Sequence, residues 1–238
     1  VNSFGVQDDF LYDYAIPVLN QRAATGQPFF ATLLSISNHP PYVIPPFFHP
    51  KTSEPETQIV EYADWALRQF FEEARKQPWF DNTIFVLEGD HGKLVGDAEC
   101  ELPESYNHIP LMIYSSRIQP EEKTAFGGQV DIQPTILGLL NIDYLQNNFG
   151  VDLLKEERPC MFYTADNMVV GRNDTLLYLY NYETQQELTY DIGNGKLNAV
   201  PMDDSFLPLK EYSFSMLQSA EFLVKHGKTL NSIPFTQQ

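Results

Sequence analysis

The ten residues TIFVLEGDHG, positions 83–92, decide how this chain reads. Thr83 to Glu88 is a short apolar run without polar alternation, the pattern of a strand buried on both faces. It runs directly into Gly89-Asp90-His91-Gly92. In open α/β sheets, ligands bind beyond the carboxyl ends of the strands, so Asp90 and His91 stand where chemistry is expected. Aspartate offers a hard oxygen and histidine a borderline nitrogen, a pair suited to Zn²⁺ or Mn²⁺. The flanking glycines let the backbone turn sharply and come close to a ligand.

Working outward, Phe29 to Ser37 (FFATLLSIS) is a second continuous apolar run and predicts a central, two-sided strand. Ile109 to Tyr114 predicts a third. Helices are expected over residues 8–20, 56–77 and 130–141. In the second of these, Ile59, Ala63, Leu67, Phe70 and Ala74 mark a buried face. Residues 38–50 are proline-rich and predict a stiff, extended loop. The order of elements predicts an α/β fold, a mostly parallel or mixed sheet with helices on both faces. The texture changes further on. Short strands near 160–163, 168–170, 176–180 and 188–190, with turns at Asn173-Asp174 and Tyr182-Glu183-Thr184, predict antiparallel hairpins, and a last helix is expected over 207–226. The expected organisation is residues 1–155 as one domain part and 156–238 as a small α+β appendage.

Three further side chains are candidates for a site. His39 follows the Phe29–Ser37 run within Asn38-His39-Pro40-Pro41, where the prolines restrict it. Lys93 lies two residues after His91 and could neutralise a phosphate oxygen. His108 precedes the third strand. It faces the opposite sheet edge if that strand is parallel, unless the long intervening loop carries it back. The acidic residues Glu99, Glu101 and Glu104 read as a solvated loop, and His49 and His226 have no partners that suggest a role.

The chain has 32 acidic and 15 basic residues, a net charge of −17. Such a field repels nucleic acids and anionic membrane surfaces, which excludes a nucleic-acid partner. If the substrate is a phosphate or sulfate ester, a bound cation has to supply the local positive charge. No apolar run is long enough to span a bilayer, so the chain itself reads as soluble. Cys100 and Cys160 can form one disulfide in an oxidising compartment or stand as two buried thiols.

Several segments, in order, resemble lipoteichoic acid synthases and phosphoethanolamine transferases of the sulfatase/alkaline phosphatase superfamily. They are SISNHPPY at 35–42, YADWALRQFF at 62–71, DNTIFVLEGDHG at 81–92, HIPLMIY at 108–114 and GQVDIQPTILGLLNI at 128–142. The opening Ser3-Phe4-Gly5-Val6-Gln7-Asp8 resembles the family's W-G-x-x-D, with Phe4 in place of its Trp. The resemblance covers about residues 3–155 and implies an alkaline phosphatase-like fold and a metal-dependent phosphoglycerol transferase. It makes Asp90 and His91 ligands of one divalent cation, Mn²⁺ or Zn²⁺. It puts His39 at the phosphate or headgroup of the substrate; Lys93, from its place after His91, and His108, at a position where related members vary, are further substrate-binding candidates. The implied substrate is an anionic phosphate or sulfate ester, with lipid headgroups among the candidates.

The family's nucleophile and a third, glutamate ligand lie upstream of the matched segments. Thr32 and Thr52 do not sit in a matching motif, so no nucleophile is identifiable. The chain is therefore expected to be the carboxy-terminal part of a membrane-anchored, extracytoplasmic enzyme, to need the missing amino-terminal half, and to show no turnover alone. A sulfate-ester hydrolase and a non-catalytic binding module of the same fold are the competing readings.

Overall fold

The computed structural model describes residues 5–94, 96–193 and 195–228. Ser3 and Phe4 of the opening motif lie outside the described residues. The chain divides into two compact units. One is built from residues 1–88 and 110–120, the other from 89–109 and 121–238.

The first unit is organised by two helices, α1 (Asp8–Ala23) and α2 (Pro55–Ala74). Asp8 and Asp9 occupy the first turn of α1 and Arg22 its last, each favourable with the helix dipole. Pro55 at the start of α2 costs no hydrogen bond, because the first amide of a helix has no partner within it. Ala15 and Leu19 of α1 pack with Phe70 and Ala74 of α2, and Trp79 and Phe80 close the same cluster. The Trp79 indole N–H donates to Asn20 Oδ1 at 2.6 Å, so its one polar atom is satisfied where it is buried. Phe85 of β1 (Phe85–Glu88) lies within 5.0–6.4 Å, ring centre to ring centre, of Phe70, Phe71, Trp79, Phe80 and Tyr114.

β1 pairs antiparallel with β2 (Leu111–Tyr114), Glu88 opposite Leu111. Both sheets among the described residues are antiparallel, so the expected parallel pairing is not among them. With β1 and β2 antiparallel, the condition that would send His108 to the opposite edge is not met. β1 ends and β2 begins at the same edge, and the long connection leaves and returns there.

Phe29 to Ser37 corrects the sequence reading more sharply. Its backbone joins no strand ladder among the described residues. Phe30 is 85% exposed and Leu34 72%. A two-sided apolar strand needs a hydrogen-bonded neighbour and cover on both faces, and no described strand supplies either. Its far end is nonetheless fixed. Asp8 is buried, and its Oδ1 accepts from the backbone N–H of Ile36 and Ser37, each at 3.0 Å, and from the Ser37 hydroxyl at 2.8 Å.

In the second unit, β3 (Met161–Ala165), β4 (Met168–Arg172), β5 (Leu176–Asn181), β6 (Gln186–Gly193) and β7 (Lys196–Ala199) form an antiparallel meander in sequence order. β7 was not foreseen. The turns follow from local chemistry. Asp166 and Asn167 both take positive φ, 46° and 63°, as a two-residue hairpin requires. Asn173 Oδ1 accepts from the amides of Thr175 and Leu176, and Asn181 Oδ1 from those of Glu183 and Thr184. One face of the meander buries Met168, Val170, Leu177, Leu179 and Tyr190 against Leu102. The other buries Tyr178 against Phe206 and Leu209 at the start of α4 (Leu207–Lys225). α4 crosses so close that a Cβ on Gly171 would stand 2.6 Å from Ser213 Oγ.

Glu101 and Glu104, expected in a solvated loop, instead bind the meander. The Tyr190 hydroxyl donates to Glu101, and Arg172 donates to Glu104. Cys100 and Cys160 are both free thiols, and burial pushes both above the ordinary thiol value.

α3 (Ile132–Leu139) is preceded by a single 3₁₀ turn, Gln129–Asp131. Asp131 and Arg158 form an ion pair whose side chains are 0% and 3% exposed. Arg158 Nε donates to Asp131 Oδ2 at 2.8 Å, Nη2 to the Phe149 carbonyl at 2.6 Å and Nη1 to the Tyr212 hydroxyl at 3.0 Å. Asp131 also accepts from the amides of Gly128 and Val151, each at 2.8 Å.

Breaking this pair from one side leaves a buried charge without a partner. Asp131→Ala is expected to cost ~3–5 kcal/mol, read as a lower unfolding midpoint by circular dichroism in urea. A smaller, pH-dependent effect is expected at Glu187. Lys210 and then Tyr178 hold its carboxyl below the ordinary value of 4.5. That stabilisation is present above 4.5 and is lost as the pH falls through the lower folded-state value. Glu187→Gln should therefore lower the melting temperature at pH 7, with the difference from wild type shrinking below pH 4.5.

Candidate metal centre

β1 ends at Glu88, and the next four residues turn out of the sheet. Two contacts hold this turn within the second unit. The Gly92 amide donates to the Tyr106 carbonyl at 2.8 Å, and a Cβ on Gly92 would lie 1.9 Å from the Ser105 carbonyl oxygen. Only glycine permits that approach. On the other side, the Gln129 side-chain amide donates to the carbonyls of Gly89 (3.2 Å) and Asp90 (2.9 Å).

Between these supports, Asp90 and His91 turn outward, their side chains 77% and 71% exposed. The His91 amide donates to Asp90 Oδ1 at 3.0 Å, which orients the carboxylate. The His91 ring Nδ1 lies 2.8 Å from the Gly92 carbonyl. A carbonyl only accepts, so Nδ1 carries the proton, and in the neutral ring Nε2 keeps its lone pair. Histidines that bind metals commonly donate their other ring N–H to a carbonyl in this way. Nε2 stands 3.8 Å from Asp90 Oδ2. Ligands bound at about 2.0–2.2 Å to one ion lie no more than ~4.4 Å apart, so this oxygen and nitrogen are spaced to share a cation. The donor set therefore fits Zn²⁺ or Mn²⁺. Among the described residues, no group of three or more His, Cys, Asp or Glu is placed to hold a metal.

Lys93 follows directly on Gly92. His108 ends the turn through Glu104–Tyr106 (a 3₁₀ helix), its amide donating to the Glu104 carbonyl at 2.8 Å. The contact of Gly92 with Ser105 and Tyr106 thus brings the chain around His108 back to the Asp90-His91 turn. His39 belongs to the first unit. Its amide donates to the Ile36 carbonyl at 3.1 Å, and its Nδ1 donates to the Pro40 carbonyl at 2.7 Å, which leaves the lone pair of the neutral ring on Nε2. Asp8, through Ile36 and Ser37, sets where this loop begins. Gln129 and Arg158 were missed as supports. Gln129 lies inside a quoted motif, but nothing in its spacing links it to residues 89 and 90.

Substituting Gly92 forces backbone apart from backbone. Gly92→Ala is expected to destabilise the chain by about 1–3 kcal/mol or more, with faster hydrogen exchange at Gly92 and His108 in particular.

The Sulfatase family model matches residues 2–142. Lipoteichoic acid synthase 1 of Bacillus subtilis is 26% identical over 217 residues, which cover 82% of this chain and 32% of that protein. The lipoteichoic acid synthase-like YvgJ of the same organism is 27% identical over 234 residues, 88% of this chain and 36% of that one. The chain thus spans about a third of the length of these relatives. Among solved structures, a protein of the alkaline phosphatase superfamily from Vibrio parahaemolyticus superposes with a TM-score of 0.79 at 26% identity, over 93% of this chain and 56% of that one. The lipoteichoic acid synthase LtaP from Listeria monocytogenes gives 0.75 at 22% identity, over 100% and 62%. The fold is of the alkaline phosphatase type, and the chain belongs to the sulfatase family.

Proposed function

We propose that this chain is the carboxy-terminal part of a metal-dependent phosphoryl-ester transferase of the lipoteichoic acid synthase, phosphoglycerol transferase type. The observation that carries the reading is the Asp90–His91 pair, an outward carboxylate and an imidazole with its Nε2 lone pair turned to the same side, 3.8 Å apart at the end of β1. The relatives named above favour a phosphate over a sulfate ester. In this reading Asp90 and His91 hold one Mn²⁺ or Zn²⁺, which would polarise a phosphoryl oxygen and offset its charge. His39, Lys93 and His108 bind the anionic substrate, a lipid headgroup among the candidates. His39 Nε2 can accept a hydrogen bond from a substrate hydroxyl or, protonated, donate to a phosphate oxygen. The chain's own field, at −17, does not attract an anion, so substrate capture falls to these few side chains and the bound cation.

The nucleophile and a further metal ligand belong, in this reading, to an amino-terminal half of the same enzyme. The exposed apolar run around Phe30 and Leu34 supports it, since an extended segment of that composition is a template for pairing with further strands. Residues 1–155 then form part of the catalytic domain and 156–238 its appendage. The parent enzyme is membrane-anchored and works outside the cytoplasm. No described helix is long and apolar enough to cross a membrane.

Titrating the chain with Mn²⁺ by calorimetry tests the metal pair. Binding is expected, and Asp90→Ala and His91→Ala should each weaken it about tenfold or more. Binding that survives both substitutions would overturn the assignment. The chain alone is expected to release no product from a phosphodiester such as bis-p-nitrophenyl phosphate, and steady turnover would refute the fragment reading.

A further inference from the structure

The supports of the Asp90-His91 turn form a connected path. It begins at the buried Arg158–Asp131 pair. Asp131 accepts the Gly128 amide, and the Asp131 amide donates to the Gly128 carbonyl at 2.9 Å, so the turn 128–131 is closed from both ends. Gly128 is closely packed: a Cβ there would stand 2.7 Å from the Met161 methyl group, which would have to shift. Gln129 projects from this fixed turn. Its amide nitrogen carries two hydrogens and meets two consecutive carbonyls, of Gly89 and Asp90. These are the first carbonyls beyond β1, past the last rung of its ladder with β2. Orienting both peptide planes fixes the direction in which the Asp90 and His91 side chains leave the backbone.

We infer that Gln129 is a positioning residue for the metal pair: its side-chain amide clasps the Gly89 and Asp90 carbonyls and so holds Asp90 and His91 aligned on one cation. This rests on the reading of Asp90 and His91 as cation ligands. Gln129 touches no reacting atom in this scheme. It acts on the ligands through the backbone, as the outer groups of metal sites do. The side chain is exposed, so its loss leaves no cavity and no buried polar group, and its contribution to global stability is small. That separates it from Asp131, whose loss unfolds the support itself.

The test uses the full chain with Gln129→Met, which keeps the length and removes both donors, and Gln129→Glu, which keeps the shape and presents only acceptors to the two carbonyls. Two quantities are measured: Mn²⁺ affinity by calorimetry, and residue-resolved amide hydrogen exchange at His91 and Gly92 without metal. Both variants are expected to melt within a few degrees of wild type, to exchange faster at His91 and Gly92, and to bind Mn²⁺ about tenfold or more weakly. Faster exchange with Mn²⁺ affinity within twofold of wild type would reduce Gln129 to a local brace and overturn the inference. Unchanged exchange would overturn it as well, whatever the affinity. A wild-type chain that binds no Mn²⁺ would fail the metal reading itself and take the inference with it, even if the exchange result showed the clasp to be real.

Discussion

The buried pair of Asp131 and Arg158 is the constraint on which the second unit depends. Each charge taken out of water costs several kcal/mol unless it is paired and its remaining hydrogen-bonding capacity is filled. Here it is filled. Both carboxylate oxygens receive the guanidinium, and the amides of Gly128 and Val151 take the remaining positions. The guanidinium reaches past the carboxylate to the Phe149 carbonyl and the Tyr212 hydroxyl. The turn before α3, the segment at 149–151, the lead into β3 and the middle of α4 are thereby drawn to one point. An apolar pair of equal volume could match its stability, but it could not define so many backbone positions at once.

The first unit solves a similar problem with the same chemistry. Asp8 is buried at the start of α1 and spends one oxygen on two amides and a hydroxyl from residues 36 and 37. In both units a sequestered carboxylate gathers backbone N–H groups from a segment distant in sequence, and a candidate site residue lies one or two steps further on: His39 after Ser37, and the Asp90-His91 turn through Gln129. The candidate side chains themselves stay exposed. Rigidity is placed in the buried supports and access is left at the surface, which suits groups that must be preorganised yet reachable.

Much of this was legible in the sequence because it is local. The helical repeat picks out Ile59, Phe70 and Ala74 of the buried face of α2, though Tyr62 and Ala66 complete it while the expected Ala63 and Leu67 are only half-buried, and Asn173-Asp174 and Tyr182-Glu183-Thr184 announce their turns. Asp90 and His91 could be singled out because a strand signal ends immediately before them and glycines flank them. What escaped reading is non-local. No spacing rule joins Asp131 to Arg158, Gln129 to Gly89, or Glu104 to Arg172. The acidic loop looked solvated because its cationic and phenolic partners lie far along the chain. Phe29 to Ser37 shows the complementary limit: composition states that a segment wants to be covered on two faces, but a strand exists only where a second backbone offers hydrogen bonds.

The order in which the chain visits its units has a consequence for how it is made. β1 and β2 complete the first unit, yet residues 89–109 between them belong to the second. Closing so long an excursion costs about 2 kcal/mol more than closing a two-residue hairpin. As the chain leaves the ribosome, β1 must wait, unpaired and flanked by the aromatic cluster around Phe85, until residue 114 has emerged. The Asp90-His91 turn leaves the ribosome during that wait and gains its Gln129 clasp only afterwards. No single cut in the sequence separates the two units. The candidate site therefore gains its support only after β2, which follows it in the sequence, has emerged.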